Sequence, residues 1–151
     1  MRRIALAACL LAVAASPALA ETPSLTAKKS AHDFAATVTR LEAAITKRGA
    51  AITAKVDHAA AAKANGFELK PATVVIFGNP KLGTPLMQSS PTAGLDLPMR
   101  VLVWQDASGA VMVGYWPPAK LAEAHGIKDR DQVVKTMAGA LDAITNEAVA
   151  K

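Results

Sequence analysis

Phe34, Val38, Leu41 and Ile45 recur at helical spacing and form one apolar stripe, which predicts a helix over 33–48. Ser30 or Asp33 supplies its N-cap, and Gly49 stands where a left-handed residue closes a helix. The period then changes. Over 50–57, Ile52, Ala54 and Val56 alternate with Thr53, Lys55 and Asp57, the pattern of a strand with one buried and one wet face. An alanine-rich helix over 58–65 follows, capped by Asp57 and ended by Gly66. Pro71 bars helix through Lys70 and leads into an apolar strand over 73–77. Residues 25–30 read as a short first strand.

The strand over 73–77 runs into a turn-rich loop, Gly78-Asn79-Pro80-Lys81-Leu82-Gly83, and then Thr84-Pro85, the favoured N-cap and first-turn pair of a short helix. Ser90-Pro91 repeats that device. Two strands over 99–105 and 111–116 are joined by Asp106-Ala107-Ser108-Gly109, a hairpin turn. Pro117-Pro118 ends the second of them and starts a helix that runs to His125 and stops at Gly126. Asp129 with Gln132 resembles a capping box, opening a last helix with Val133, Met137, Leu141, Ile144 and Ala148 along one side. Strands and helices do not alternate regularly and nothing repeats. The order predicts an α+β fold, a mainly antiparallel sheet with helices on one face, in one domain over 21–151.

Residues 1–20 stand outside that fold. A basic start, Met1-Arg2-Arg3, an apolar run over 4–15 and the small-x-small ending at Ala20 make a secretory signal peptide, cleaved before Glu21. The protein is therefore expected to be exported, periplasmic or secreted. Leu6-Ala7-Ala8-Cys9 offers a competing lipoprotein box, although the apolar run continues past Cys9. Cys9 is the only cysteine, so the mature chain has no disulfide and depends on its packed core. Loss of Arg2 and Arg3 lowers the net charge of +5 to +3. The remaining basic residues are scattered and aromatic residues are few, which argues against nucleic-acid binding. No later segment is long and apolar enough to be transmembrane.

Several elements together resemble one bacterial family. Asp57-His58 before alanines and Gly66, Leu69-x-Pro71, Phe77-Gly78-Asn79-Pro80, Gly83-Thr84-x-Leu86-Met87, Asp96-Leu97-Pro98, Val103-Trp104 and Tyr115 are similar to the domain-of-unknown-function 302 family, in unbroken order from about Asp33 to Ile127. The resemblance implies a TATA-binding-protein-like α+β fold and often a homodimer, with no agreed activity and no reason to expect DNA binding. Pro117 departs from the pattern, which has a small polar residue there. The tail after Asp129 lies outside the match.

Two places carry candidate chemistry. His58, in the first turn of a helix capped by Asp57, is disfavoured as imidazolium by the positive helix end, so it is suited to accept a proton or a hydrogen bond. Its plainer role is to tie strand to loop. The loop over 78–87 offers Asn79, Lys81, Gly83, Thr84 and Met87: glycine admits a ligand close to backbone, amides at the helix start face an anion, and Lys81 adds charge. Its plainer role is a turn with Thr84 as cap. Asp96 is a partner for His58 or Arg100, or a turn former before Pro98. His32 and His125 read as surface or helix-end residues, and Trp104 and Tyr115 as core or subunit contacts. Met87, Met99 and Met112 raise a soft copper site, against which their scatter tells; neither metal nor cofactor is expected. No Ser-His-Asp, Gly-x-Ser-x-Gly or His-Glu-x-x-His arrangement appears. The favoured reading is a homodimeric binding module for a small anionic or carbonyl-bearing ligand, held near Asn79, Lys81, Thr84 and His58, or for a protein partner. The alternative is a small periplasmic enzyme with His58 as general base and Asn79 and helix amides stabilising an anion.

Overall fold

The computed structural model describes residues 24–151. The signal peptide and the Cys9 alternative lie outside the described residues. Five strands form one antiparallel sheet: β1 (Thr26–Lys29), β2 (Ala51–Asp57), β3 (Ala72–Gly78), β4 (Met99–Gln105) and β5 (Val111–Tyr115), in the order β1-β5-β4-β3-β2. Two long helices, α1 (Phe34–Lys47) and the last helix (Asp131–Val149), lie on one face. Between them in sequence come α2 (His58–Ala64), α3 (Pro80–Ser89), a 3-10 turn (Pro91–Leu95) and α4 (Pro118–Ala124), so the last helix is α5.

The core follows from the two periodicities. Val38, Leu41, Ala44 and Ile45 of α1 and Leu141, Ile144 and Ala148 of α5 meet Val75, Phe77, Val101, Val103, Val111 and Val113 of the sheet, all buried. A smaller cluster gathers Leu86, Ala93, Leu121, Ala122, Ile127 and Met137 beneath α3, the 3-10 turn and α4. Lys28 of β1 fastens the far edge of the sheet to α5. Its ammonium donates to Asp142 Oδ1 at 2.6 Å, Thr145 Oγ1 at 2.8 Å and Asn146 Oδ1 at 2.7 Å.

Most boundaries fall within a residue or two of the expected ones. Asp33 caps α1, accepting from the Ala36 amide at 2.8 Å, and Asp57 caps α2, accepting from the Ala60 amide at 2.9 Å. The hairpin turn closes through Asp106, which accepts from the Ala110 amide, with Gly109 at φ +85°. Three expectations are corrected. β2 has no buried face. It is the sheet's edge, and a bulge between Ile52 and Ala54 breaks its alternation: Ile52 lies opposite Phe77, whereas Ala54 and Val56 lie opposite Ile76 and Val74. Lys55 instead faces the helices and pairs with Glu42 of α1 at 2.8 Å. Helix α3 starts at Pro80 and not after Thr84, so Pro85 sits inside the helix. Asp129 caps nothing: α5 starts at Asp131 with Arg130 as the flanking residue, and the Asp129 carboxylate bonds the Ser89 hydroxyl and Arg130. A third bond, from Arg130 Nε to the Pro85 carbonyl at 3.2 Å, ties the start of α5 to α3.

Candidate functional site

β3 ends at Gly78 and Asn79 is the N-cap of α3, its side-chain oxygen accepting from the Lys81 amide at 3.0 Å. Pro80 follows at the first helical position, where a missing N–H costs nothing. A Cβ on Gly78 would lie 3.2 Å from Cβ of Pro98, so glycine is what lets the 97–98 segment cross the end of β3 this closely.

Behind this junction is a cavity of about 500 Å³. Its walls come from the β3–α3 turn, the Leu97-Pro98 segment, the start of β2 and one side of α5, and they are mainly apolar. Leu82, Met87, Met99, Met137, Leu141 and Ile144 supply much of the lining. Asn79, Thr53, Thr84 and Arg48 are its polar members. Arg48, just past the end of α1, is held by bonds from Nη1 to the Ala44 carbonyl at 3.2 Å and to Glu147 Oε2 at 2.7 Å. Its Nε and Nη2 make no further bond among the described residues. Lys47 and Arg48 together hold the Glu147 carboxyl below the usual range, so this anchor stays charged at neutral pH. A mainly apolar wall with few polar members suits a mostly apolar molecule that carries an acceptor group.

Of the expected ligand-binding residues, Asn79, Gly83, Thr84 and Met87 line this cavity. Lys81 does not: it is exposed and lines neither cavity described here. Thr84 is no cap, and because α3 begins at Pro80, the amides of Leu86 and Met87 fall inside the helix rather than at a free N-terminus. His58 and Asp96 sit elsewhere, on a second cavity of about 590 Å³. The two cavities share only Met99 among their lining residues, so the expected convergence of His58 with the 78–87 loop is not formed. The enzyme alternative, which needs His58 beside Asn79, loses its geometry for the same reason. Asp96 does pair with Arg100, at 3.0 Å, but its other oxygen meets His125 Nε2 at 2.8 Å and not His58. His125 is at a helix end, as its position after α4 suggests, yet its side chain is only 9% exposed.

Met87 and Met99 line the first cavity, while Met112 lies on β5 opposite Trp104, so the three sulfurs do not surround one point. Among the described residues no group of three His, Cys, Asp or Glu side chains stands close enough to hold a metal ion. Arg48 and the α5 side of the cavity are absent from the sequence-based site. The apolar stripe Met137, Leu141, Ile144 is legible as a buried helix face, but nothing local in it separates a core wall from a cavity wall. Arg48 reads only as a basic residue before Gly49.

The fold and junction define a small α+β domain whose sheet is covered by helices on one face. The chain belongs to the family described as domain of unknown function DUF302, whose profile matches residues 26–144. The match takes in residues 130–144 of the tail that the motifs alone leave out. The chain is similar, at 16% identity and a TM-score of 0.77, to the crystal structure of an uncharacterized conserved DUF302 protein from Bacillus stearothermophilus, covering 85% of this chain and 99% of that one. That likeness shows the fold. It is also 40% identical over 121 residues to proteins named fluoride-specific ion channel FluC 1 of Brucella suis and of Brucella abortus. The match takes in 80% of this chain and 48% and 45% of theirs, so the chain spans about half the length of the curated relatives it matches. Among the described residues no helix is long and apolar enough to cross a membrane.

Proposed function

We propose that the chain is an exported, homodimeric binding module whose ligand is a small, mainly apolar molecule carrying one carbonyl or carboxylate group. The observation that carries this reading is the apolar cavity of about 500 Å³ behind the β3–α3 junction, with Asn79 and Arg48 among its polar lining residues. That volume lies in the range of ordinary small-molecule sites. Export rests on the basic, apolar and small-x-small N-terminus. Self-association rests on β2, a seven-residue edge strand exposed along its whole length and free of proline, beside exposed Phe67 and Leu69. Such an edge invites pairing, and a second copy meets it by two-fold antiparallel addition.

Gly83→Met tests the ligand site. A Cβ at Gly83 makes only ordinary contact, 3.7 Å from Leu97 Cδ1, so the longer side chain enters the cavity without a clash at its root. Methyl ketones and carboxylates of about six to ten carbons should raise the melting temperature of the parent saturably and leave the variant unmoved. Equal responses of parent and variant, or no response from any member of the series, would contradict the proposal.

The Brucella relatives favour a second reading. There the matched unit is continuous with the rest of a protein named as a fluoride-specific ion channel. The matched unit is joined there to further sequence in a protein of that name, so a fluoride channel is a candidate partner of this unit. Fluoride efflux from vesicles holding a fluoride channel, measured with and without added protein, tests it; an unchanged rate and no co-sedimentation with the vesicles would set it aside.

A further inference from the structure

The second cavity carries an assignment of its own. Val74 and Leu102 on the open face of the sheet form its floor, Leu121 and Ala124 of α4 one wall, and Leu25 and Trp116 its apolar margin. Its charged and titratable lining is His58, Asp96, Arg100, Tyr115 and Lys120. The single carboxylate is already engaged on both oxygens. Asp96 Oδ1 accepts from Arg100 Nη2 at 3.0 Å, and Asp96 Oδ2 faces His125 Nε2 at 2.8 Å. His125 is fixed in turn by Thr92 Oγ1, 2.9 Å from its Nδ1. The 3-10 turn, α4 and β4 are thus stitched together around Asp96, and the stitching orients the guanidinium of Arg100 while leaving Nε and Nη1 without partners among the described residues. Lys120 makes no ion pair with a carboxylate among the described residues. Its ammonium rests 3.5 Å from the ring centroid of Trp116, which is 53% exposed.

We propose that this cavity is a binding site for a small organic anion, its apolar body against Val74, Leu102, Leu25 and Trp116 and its carboxylate between Arg100 and Lys120. Two cations, Arg100 and Lys120, face one carboxylate whose two oxygens are both engaged by Arg100 and His125, so the lining is net positive and the local field favours a negative head group. Held through Nη2 by Asp96, the guanidinium keeps Nε and Nη1 as charge-assisted donors for a carboxylate. The cation on Trp116 keeps the ring and the charge in register at the cavity edge. His58 adds a ring nitrogen to the same wall, which gives this side chain a place in the molecule apart from the 78–87 loop.

The experiment follows the indole N–H signals of the two tryptophans by NMR while phenylacetate, benzoate or hexanoate is added, each paired with its neutral amide. Trp104 does not line the cavity and serves as the internal reference. At least one carboxylate should move the Trp116 signal saturably while Trp104 stays, and its amide should bind about tenfold more weakly. Arg100→Gln and Lys120→Gln should each weaken the carboxylate about tenfold and leave the amide unchanged; Gly83→Met, which fills only the first cavity, should change neither. Lys120 lies outside every ion pair among the described residues, so its variant remains informative even where Arg100→Gln perturbs folding. Equal binding of acid and amide, indifference to both substitutions, or no saturable shift from any of the three acids would overturn the assignment. Loss of binding in Gly83→Met would place the anion in the first cavity instead.

Discussion

Asn79 serves both fold and cavity, because its side chain caps α3 and the residue stands on the cavity wall. Replacing it with alanine removes the oxygen that accepts from the Lys81 amide. Loss of such a cap costs about 0.5–2 kcal/mol, so chemical denaturation of Asn79→Ala should show a midpoint shift of that size with an unchanged slope. Lys28 sets a pH dependence. Its hydrogen bond, and then its charge, hold the Asp142 carboxyl below its ordinary value of 3.8. A depressed folded-state pKa means that the unfolded chain binds protons more readily in acid. The stabilisation is therefore complete above the unfolded value and is lost as pH falls below about 4. Lys28→Met should lower stability at pH 7 and flatten the fall between neutral and acid pH relative to the parent; parallel pH profiles for the two proteins would show that the pair contributes nothing.

Among the secondary-structure elements, β5 is closely approached at Gly114. A Cβ at Gly114 would lie 3.0 Å from the Thr26 carbonyl and 3.0 Å from the Trp104 ring. Gly114→Ala must push either the β1 backbone or the indole aside, an overpacking cost of about 1–3 kcal/mol, readable as a drop in thermal stability with loss of β1 protection in hydrogen exchange. The elements also show which parts of this fold are legible along the chain. Caps that are local and contiguous with their helix, such as Asp33 and Asp57, announce themselves, as do the 3.6-residue stripes of α1 and α5. Three features do not. Thr84-Pro85 has the composition of a helix start, but Asn79-Pro80 has the same composition five residues earlier, and only packing of Leu86 into the smaller core selects the earlier one. The extra residue in β2 leaves a perfect alternation in the sequence and moves Lys55 onto the helix face, where Glu42 receives it. Asp129 carries a capping signature and instead spends its carboxylate on Ser89 of α3 and on Arg130, a tertiary contact that no window of neighbouring residues contains.

For the molecule as a whole, the same limit explains the site. The residues of the 78–87 loop are adjacent in sequence, so seven of them reach one cavity together. His58 and Asp96 are joined to that loop only by motif, and the sheet carries them to the other cavity. Arg48 and α5 arrive from opposite ends of the chain, so no spacing rule brings them to the first cavity. The exposed β2 edge bears on assembly: sedimentation at micromolar concentration should show a dimer, and Val56→Lys, which places a charge on the edge strand, should shift it toward monomer. A parent that stays monomeric across the accessible range would remove the homodimer from the account.

The proposed entry of a ligand behind the β3–α3 junction is reported most directly by the methionine methyl groups. Met87 and Met137 line that cavity, whereas Met112 lies on β5 and lines neither cavity. In a protein labelled at the methionine ε-methyl carbon, titration with 2-octanone or octanoate should move the Met87 and Met137 signals along one saturable curve while Met112 holds still, and Gly83→Met should abolish the movement. Shifts shared equally by Met112, or unmoved Met87 and Met137 signals at saturating ligand, would contradict it.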